Sequence, residues 1–376
     1  MSTVVYDVAI VGAGIVGAAC ADECTRRGLN TALLDRDMVG GGATAAGMGH
    51  IVVMDDSEAQ FALTLYSQRL WQQLQQELPV DVEYEVCGTI WVAADDGEVE
   101  EVLRKHKYYG DRGVETKILD ADGLYRLEPN LRDGMKGGLL VPHDAVLYPP
   151  CAARFLMERA QKRGATLQLG RAVRHISQGR VTLEDGSELQ ASMVVNAMGA
   201  SAPDLMRDLE IRKRKGHLAI TDRYPGFVRH QLVELGYLRS AHSVSTDSVA
   251  FNVQPRRTGQ ILIGSSRQYG AEHREIDADM LARMLRRAQS YMPTLAQLSV
   301  VRCWTGFRAA TPDKLPLIGP WHSDSSVWLA TGHEGLGITT SLGTARILVD
   351  QMTSSQSEIP IAPYLPSRIL QEHTHA

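Results

Sequence analysis

The residues with the clearest chemical potential are glycines. Gly12, Gly14 and Gly17 form a G-x-G-x-x-G pattern between an apolar strand and a helix-forming run. In that setting the first glycine permits a tight turn and the second lets backbone amides approach a pyrophosphate. The third lets helix and strand pack closely. Asp35 closes the next strand, where a carboxylate accepts hydrogen bonds from ribose hydroxyls and repels a 2′-phosphate. These residues predict a dinucleotide site, which serves NAD and FAD equally. A second glycine-rich run, "GGGATAAGMGHI" from Gly40, favours FAD, because a ribityl chain and flavin ring must pass further backbone. A third, "GHEGLGITT" from Gly332, is a glycine-broken turn at the mouth of a helix. No Ser-His-Asp or metal-ligand constellation competes with these, the 12 histidines form no H-x-x-x-H pair on a convincing helix, and no metal is expected.

The elements that must position these residues follow from hydrophobic periodicity. "YDVAIVGAGIVGAACADECTRRGLNTALLDRD" reads as strand, turn, helix and second strand, with Val8 to Val11 buried on both faces of a parallel sheet. Ser57 and Gln60 form a capping-box pattern opening a long helix that Pro79 closes. A strand in "YEVCGTIWVAAD" and a helix over Glu98 to Gly110 come next. A second α/β stretch starts at Pro149-Pro150, with a hairpin at Asp185-Gly186 and an apolar strand "SMVVN". Residues 216 to 302 are strand-rich, with one helix around Asp279 to Ser290, and the polar tail after Ser367 reads as loose. Nucleotide-type α/β pieces are therefore interleaved with strand-rich inserts. The expected division is a discontinuous dinucleotide domain (1–84, 142–215 and 303–376) and a substrate domain (85–141 and 216–302).

Composition narrows the class further. The chain has 376 residues, 44% of them hydrophobic, which suffices for a large core and most naturally two domains. A formal charge of -5 gives no electrostatic case for nucleic acid or an anionic membrane as partner. The N-terminus lacks a basic region before its apolar stretch and reads as a buried strand rather than a signal peptide. No apolar run approaches the roughly 20 residues of a spanning helix. Cys20, Cys24, Cys87, Cys151 and Cys303 form no C-x-x-C pair and read as reduced, which suits the cytoplasm; peripheral membrane association stays open.

In the order fingerprint with Asp35, "GATAAGMGHI", "VVNAMGASAP", "WTGFRAATPDKLPLIGP" and "TGHEGLGITTSLGTARIL", the chain resembles the D-amino-acid oxidase-like (DAO) family of FAD-dependent amine oxidoreductases. That family includes glycine oxidase, sarcosine oxidase and D-amino-acid dehydrogenase, and the resemblance runs along most of the chain. It implies an α/β fold: a doubly wound, Rossmann-like FAD domain with an interleaved, mainly antiparallel α+β substrate domain covering the flavin. It also implies residue roles. Gly12, Gly14, Gly17, Asp35 and Arg36 hold the ADP half, and Val173 meets adenine through its backbone. Ala197 and Gly199 let a strand end pass the pyrophosphate. Ala43, Thr44, Gly47, Met48 and Gly49 lie along the ribityl-flavin path. Gly335, Leu336, Gly337, Ile338 and Thr339 bring amides and a helix N-terminus to the flavin's pyrimidine edge. Arg308 matches the arginine that grips a substrate carboxylate, which a planar guanidinium does bidentately.

Some relatives attach flavin to a cysteine; the matching position here is Gly306, with Cys303 three residues earlier, so non-covalent FAD is expected. His50 falls where a polar residue near the flavin contacts ring or substrate, or merely belongs to a loop. His333 and Glu334 line the turn or tune the pocket. The implied reaction moves a hydride from the Cα–H of a D-amino or D-imino acid to flavin, giving an imine. The motifs look most like bacterial D-hydroxyproline dehydrogenases, so cis-4-hydroxy-D-proline is the expected substrate. Alternatives are glycine or sarcosine oxidation, the flavin subunit of an opine dehydrogenase, and a catalytically silent FAD-binding assembly subunit. Oxygen, a quinone or a partner subunit reoxidises the flavin; homo- and hetero-oligomers both stay open.

Overall fold

The computed structural model describes residues 5–236 and 247–372. Val5–Val11 lies in the middle of an eight-stranded sheet, and Val8, Ala9 and Ile10 are wholly buried, as an apolar run in a parallel sheet requires. It pairs in parallel with Glu188–Asn196 on one side and Thr31–Asp35 on the other. The sheet continues outward through Asp324–Thr331 and Leu317–Trp321 at one edge and Thr166–Leu169 at the other. Helix Ile15–Arg26 packs between Pro149–Lys162 and Gly337–Met352. Ala18, Ala19 and Ala21 are buried there, because small side chains let the helices and sheet approach. Cys20 and Cys24 are fully buried in the same layer, and all five cysteines are free.

A second eight-stranded sheet runs in the order Val300–Ala310, Arg212–Arg223, Gln260–Arg267, Ser248–Pro255, Gln231–Glu234, Thr89–Ala93, Gly137–Val141, Lys117–Asp120. Its pairings are antiparallel except that between Gln231–Glu234 and Thr89–Ala93. The mixed α/β class with an interleaved antiparallel sheet is thus as expected. The anticipated joins at 215/216 and 302/303 fall inside the strands Arg212–Arg223 and Val300–Ala310, both members of this second sheet. The apolar alternation that marks a strand does not announce which sheet the strand will join.

Two local expectations change. Ser57 caps helix Glu58–Leu74 by accepting from the Gln60 amide at 3.1 Å, but the Gln60 side chain lines a cleft with its Oε1 unpartnered. The chain after Ser367, expected to be loose, forms a short helix to Glu372; residues 373–376 lie outside the described residues. Among the described residues no helix is long and apolar enough to cross a membrane, and no group of His, Cys, Asp and Glu could hold a metal ion.

Candidate functional site

One cleft of about 850 Å³ runs from Asp35 and Arg36, past both glycine loops, to Arg308 and the face of the second sheet. Its first end is made of backbone. Gly12 sits at φ +109°, and a Cβ there would lie 2.6 Å from the Ala197 carbonyl oxygen. A Cβ on Gly17 would overlap the Gly12 carbonyl oxygen, so neither position tolerates a side chain. Asp35 closes the turn: one carboxylate oxygen accepts from the Ala13 amide at 2.6 Å and the other from the Asp37 amide at 2.8 Å. The Thr44 hydroxyl accepts from the Ile15 amide at 3.0 Å, tying the second glycine loop to the start of the first helix. Arg36, Val173, Ala197 and Gly199 line the same stretch.

The middle of the cleft joins the two sheets. Gly49 is at φ +91° and a Cβ would overlap the Leu147 carbonyl, so the loop from Ala43 to His50 can lie flat. Its Ala46 fills the place a side chain on Gly306 would take, and its Met48 sulfur lies 2.9 Å from where a Cβ on Gly264 would be. Opposite, helix Gly337–Met352 opens into the cleft, and the Thr339 hydroxyl donates to the His50 carbonyl at 2.8 Å. Glycines that a Cβ would fill, two helix N-termini lining the cleft and a carboxylate at a strand end suit a long dinucleotide such as FAD.

The far end is made of long side chains. Arg308 is half-buried; its guanidinium passes over Gly216, where a Cβ would come within 2.6 Å of Nη1, and donates to the Ser266 carbonyl at 3.0 Å. Arg214 stands directly opposite Arg308 in the strand register, and Arg267 lines the cleft on the next strand. Like charges so placed repel. Glu334 answers them: it pairs with Arg214, its amide donates to the Ala309 carbonyl at 2.9 Å, and its φ is +51°. Burial alone would raise the Glu334 carboxyl, but Arg308, Arg214 and Arg267 hold it below the usual range. Burial, then the Arg256 and Arg308 charges, pushes His50 down to about 4, so its ring is neutral at neutral pH; its Nε2 has no partner. His333 is turned inward, with Nε2 against the Thr344 hydroxyl at 2.9 Å, and burial lowers it to about 3.

Of the residues singled out from sequence, all line this one cleft except Gly17, which sits behind the first turn, and Thr339, which is buried at the helix start. Sequence reasoning missed Arg214, Arg267, Gln231, Asn252 and Trp91, which also line it. Their strands carry no local motif; only the long-range pairing collects them. Glu334 lay within a quoted motif, yet its partner Arg214 is 120 positions away.

Residues 7–351 match the DAO family model, described as FAD dependent oxidoreductase. The chain is 27% identical to a glycine oxidase of Geobacillus kaustophilus over 96% of its own length and 97% of the relative's. It is also 27% identical to hydrogen cyanide synthase subunit HcnC of Pseudomonas aeruginosa, over 98% of this chain and 97% of that one. The crystal structure of glycine oxidase from Geobacillus kaustophilus superposes with a TM-score of 0.86 at 25% identity, covering 96% of this chain and 98% of the other.

Proposed function

Because the chain belongs to the DAO family of FAD-dependent oxidoreductases, we propose that its cleft oxidises a small D-amino or D-imino acid at Cα to the imine. FAD is its cofactor and oxidation of an amine or amino acid its class of reaction. When bound, FAD accepts the hydride that leaves Cα. Gly12, Gly14 and Gly17 with Asp35 and Arg36 would hold the ADP half, with Val173, Ala197 and Gly199 beside it. Ala43 to Gly49 and Gly335 to Thr339 would hold the flavin half, the helix beginning at Gly337 favouring negative charge at its N-terminus. No thiol faces that half from position 306, and Cys303 packs against a separate apolar core, which supports non-covalent binding.

The observation that carries the reading is Arg308, a half-buried cation in the same cleft as the glycine cradle. Its planar group would take the substrate carboxylate and so fix which Cα–H is presented. Neutral His50, with Nε2 open, would accept a hydrogen bond from the substrate amine. His333, bonded to Thr344 of the helix that follows it, is an anchor of the turn rather than a substrate contact. The segments 1–84, 142–211 and 311–376 make the cofactor domain in this reading, moved from the expected joins so that no strand is cut.

Within the class, cis-4-hydroxy-D-proline is the substrate the motif resemblance favours; glycine, sarcosine and an opine are the alternatives. Oxygen, a quinone or a partner subunit takes the electrons onward. The five free cysteines support a reducing compartment such as the cytoplasm. The test is anaerobic mixing of the yellow protein with D-amino acids, D-imino acids, glycine, sarcosine and an opine while flavin absorbance is followed. Bleaching by at least one is expected. No bleaching by any would leave the silent assembly subunit as the reading.

A further inference from the structure

The cleft's floor carries polar atoms that the described protein does not satisfy. Gln231, Asn252 and Trp91 line it and are 2%, 6% and 2% exposed. Gln231 Oε1, Asn252 Oδ1 and Trp91 Nε1 are buried without a hydrogen-bond partner. The register gathers them: Val233 pairs with Asn252 on one side and Trp91 on the other, and Gln231, two residues before Val233, pairs with Thr89. All three side chains therefore stand on one face of three adjacent strands, each strand about 4.8 Å from the next. Gln231 Nε2 donates to the Thr89 hydroxyl at 3.2 Å, which leaves Oε1 as the free acceptor. Behind Trp91, the buried Lys105 ammonium lies 4.4 Å from the ring centre and helps fix its orientation.

A buried polar group without a partner costs about 1–3 kcal/mol. Three of them in one substrate cleft point to a ligand that meets them. We propose that Gln231, Asn252 and Trp91 form a hydroxyl subsite, so that the substrate is an amino or imino acid carrying a hydroxyl on its side chain. A hydroxyl meets both kinds of atom: it gives its one hydrogen to one of the two amide oxygens and accepts from the indole N–H. A second carboxylate would face two oxygens, and an ammonium would face the indole N–H.

The distances agree with a small molecule. Asn252 pairs with Gly264, two residues from Ser266, whose carbonyl holds Arg308. At about 3.4 Å per residue and 4.8 Å per strand, Asn252 lies roughly 8 Å from Ser266, and the strands of Gln231 and Trp91 follow one and two strands farther on. Asn252 is therefore within the span of one compact amino acid held at the clamp. Glycine and sarcosine would leave the floor unpaired.

This inference rests on the proposed oxidation of a carboxylate-bearing amine at the same cleft. The test compares two pairs of substrates on the FAD-loaded protein: cis-4-hydroxy-D-proline against D-proline, and D-serine against D-alanine. The hydroxylated member of at least one pair is expected to have a kcat/KM of at least about 100 times that of its partner. Trp91→Phe should lower that ratio at least about tenfold with flavin content unchanged, and Asn252→Leu provides the same reading if Trp91→Phe fails to fold. Ratios within about threefold in both pairs, or glycine as the best substrate, would overturn the subsite while leaving amine oxidation standing. Absence of bleaching by every amine would instead remove the underlying reading, and the subsite with it.

Discussion

Gly12 to Gly17 and the cluster of Arg214, Arg267, Arg308 and Glu334 lie at opposite ends of one cleft and are built differently. The first end works through missing side chains. Its shape comes from backbone that approaches backbone, as where Gly17 packs on the Gly12 carbonyl. The second works through long charged side chains from three neighbouring strands and one turn. The turn of the first end is made by residues close in sequence, with Ala197 closing on it from a neighbouring strand end, whereas every residue of the second is brought in by the sheet or the turn beside it. Damage at the first should therefore remove the cofactor, and damage at the second should spare the cofactor and cripple substrate binding.

The largest test of that contrast is Gly17→Val. Its side chain would overlap the Gly12 carbonyl, so the purified variant should show no flavin absorbance. A normal yellow protein would break the comparison. Arg308→Leu should retain flavin yet lose about 100- to 1,000-fold in kcat/KM, the usual scale for truncating one side of a buried charge pair. Steady-state kinetics beside an absorbance ratio would separate the two outcomes.

Glu334→Gln sharpens the second end alone. It leaves two buried guanidiniums and the half-buried Arg308 clustered without that carboxylate, and should destabilise the fold by about 3 kcal/mol in urea titrations. The Glu334 pKa is depressed, so its contribution is fully present above the ordinary glutamate range and is lost as pH falls through the lowered value. The cost of the substitution should shrink in acid accordingly.

His333 gives a pH test of the turn between the two ends. Its pKa falls from 6.5 to about 3 on burial, so the folded state disfavours its proton. Stability is then full above 6.5 and declines by about 1.4 kcal/mol per unit as pH falls below it. His333→Gln should flatten the slope between those two values. The smallest effects belong to the glycines under Arg308. Gly216→Ala, with its Cβ 2.6 Å from Nη1, should raise KM roughly tenfold, about 1.4 kcal/mol. Gly335→Ala, 3.5 Å from the Arg308 Nε, makes an ordinary contact and should change KM less than about threefold.

The same contrast explains what was legible beforehand. Gly12, Gly14, Gly17 and Asp35 announce themselves because a strand, a turn and a helix are consecutive in the chain. Arg308 was legible because it sits in a contiguous motif. Gln231, Asn252 and Trp91 were not, since each stands in an ordinary alternating strand and becomes functional only through its neighbours. The expected joins at 215/216 and 302/303 fall inside strands for the same reason: strand membership is a long-range property. Glu334 looked like a loop residue until the sheet brought Arg214 beneath it.

The turn that carries Glu334 also has a consequence for how the protein comes into being. Glu334 and the residues from Gly335 to Ile338 are the last along the sequence to line the cleft. During synthesis from the N-terminus the opposed Arg214 and Arg308 are made first and lack this counter-charge until the turn emerges. A nascent chain therefore completes this cleft only once residues 334–338 have emerged. Products that stop short of residue 332 would carry the fingerprint yet lack the last stretch of the cleft's lining.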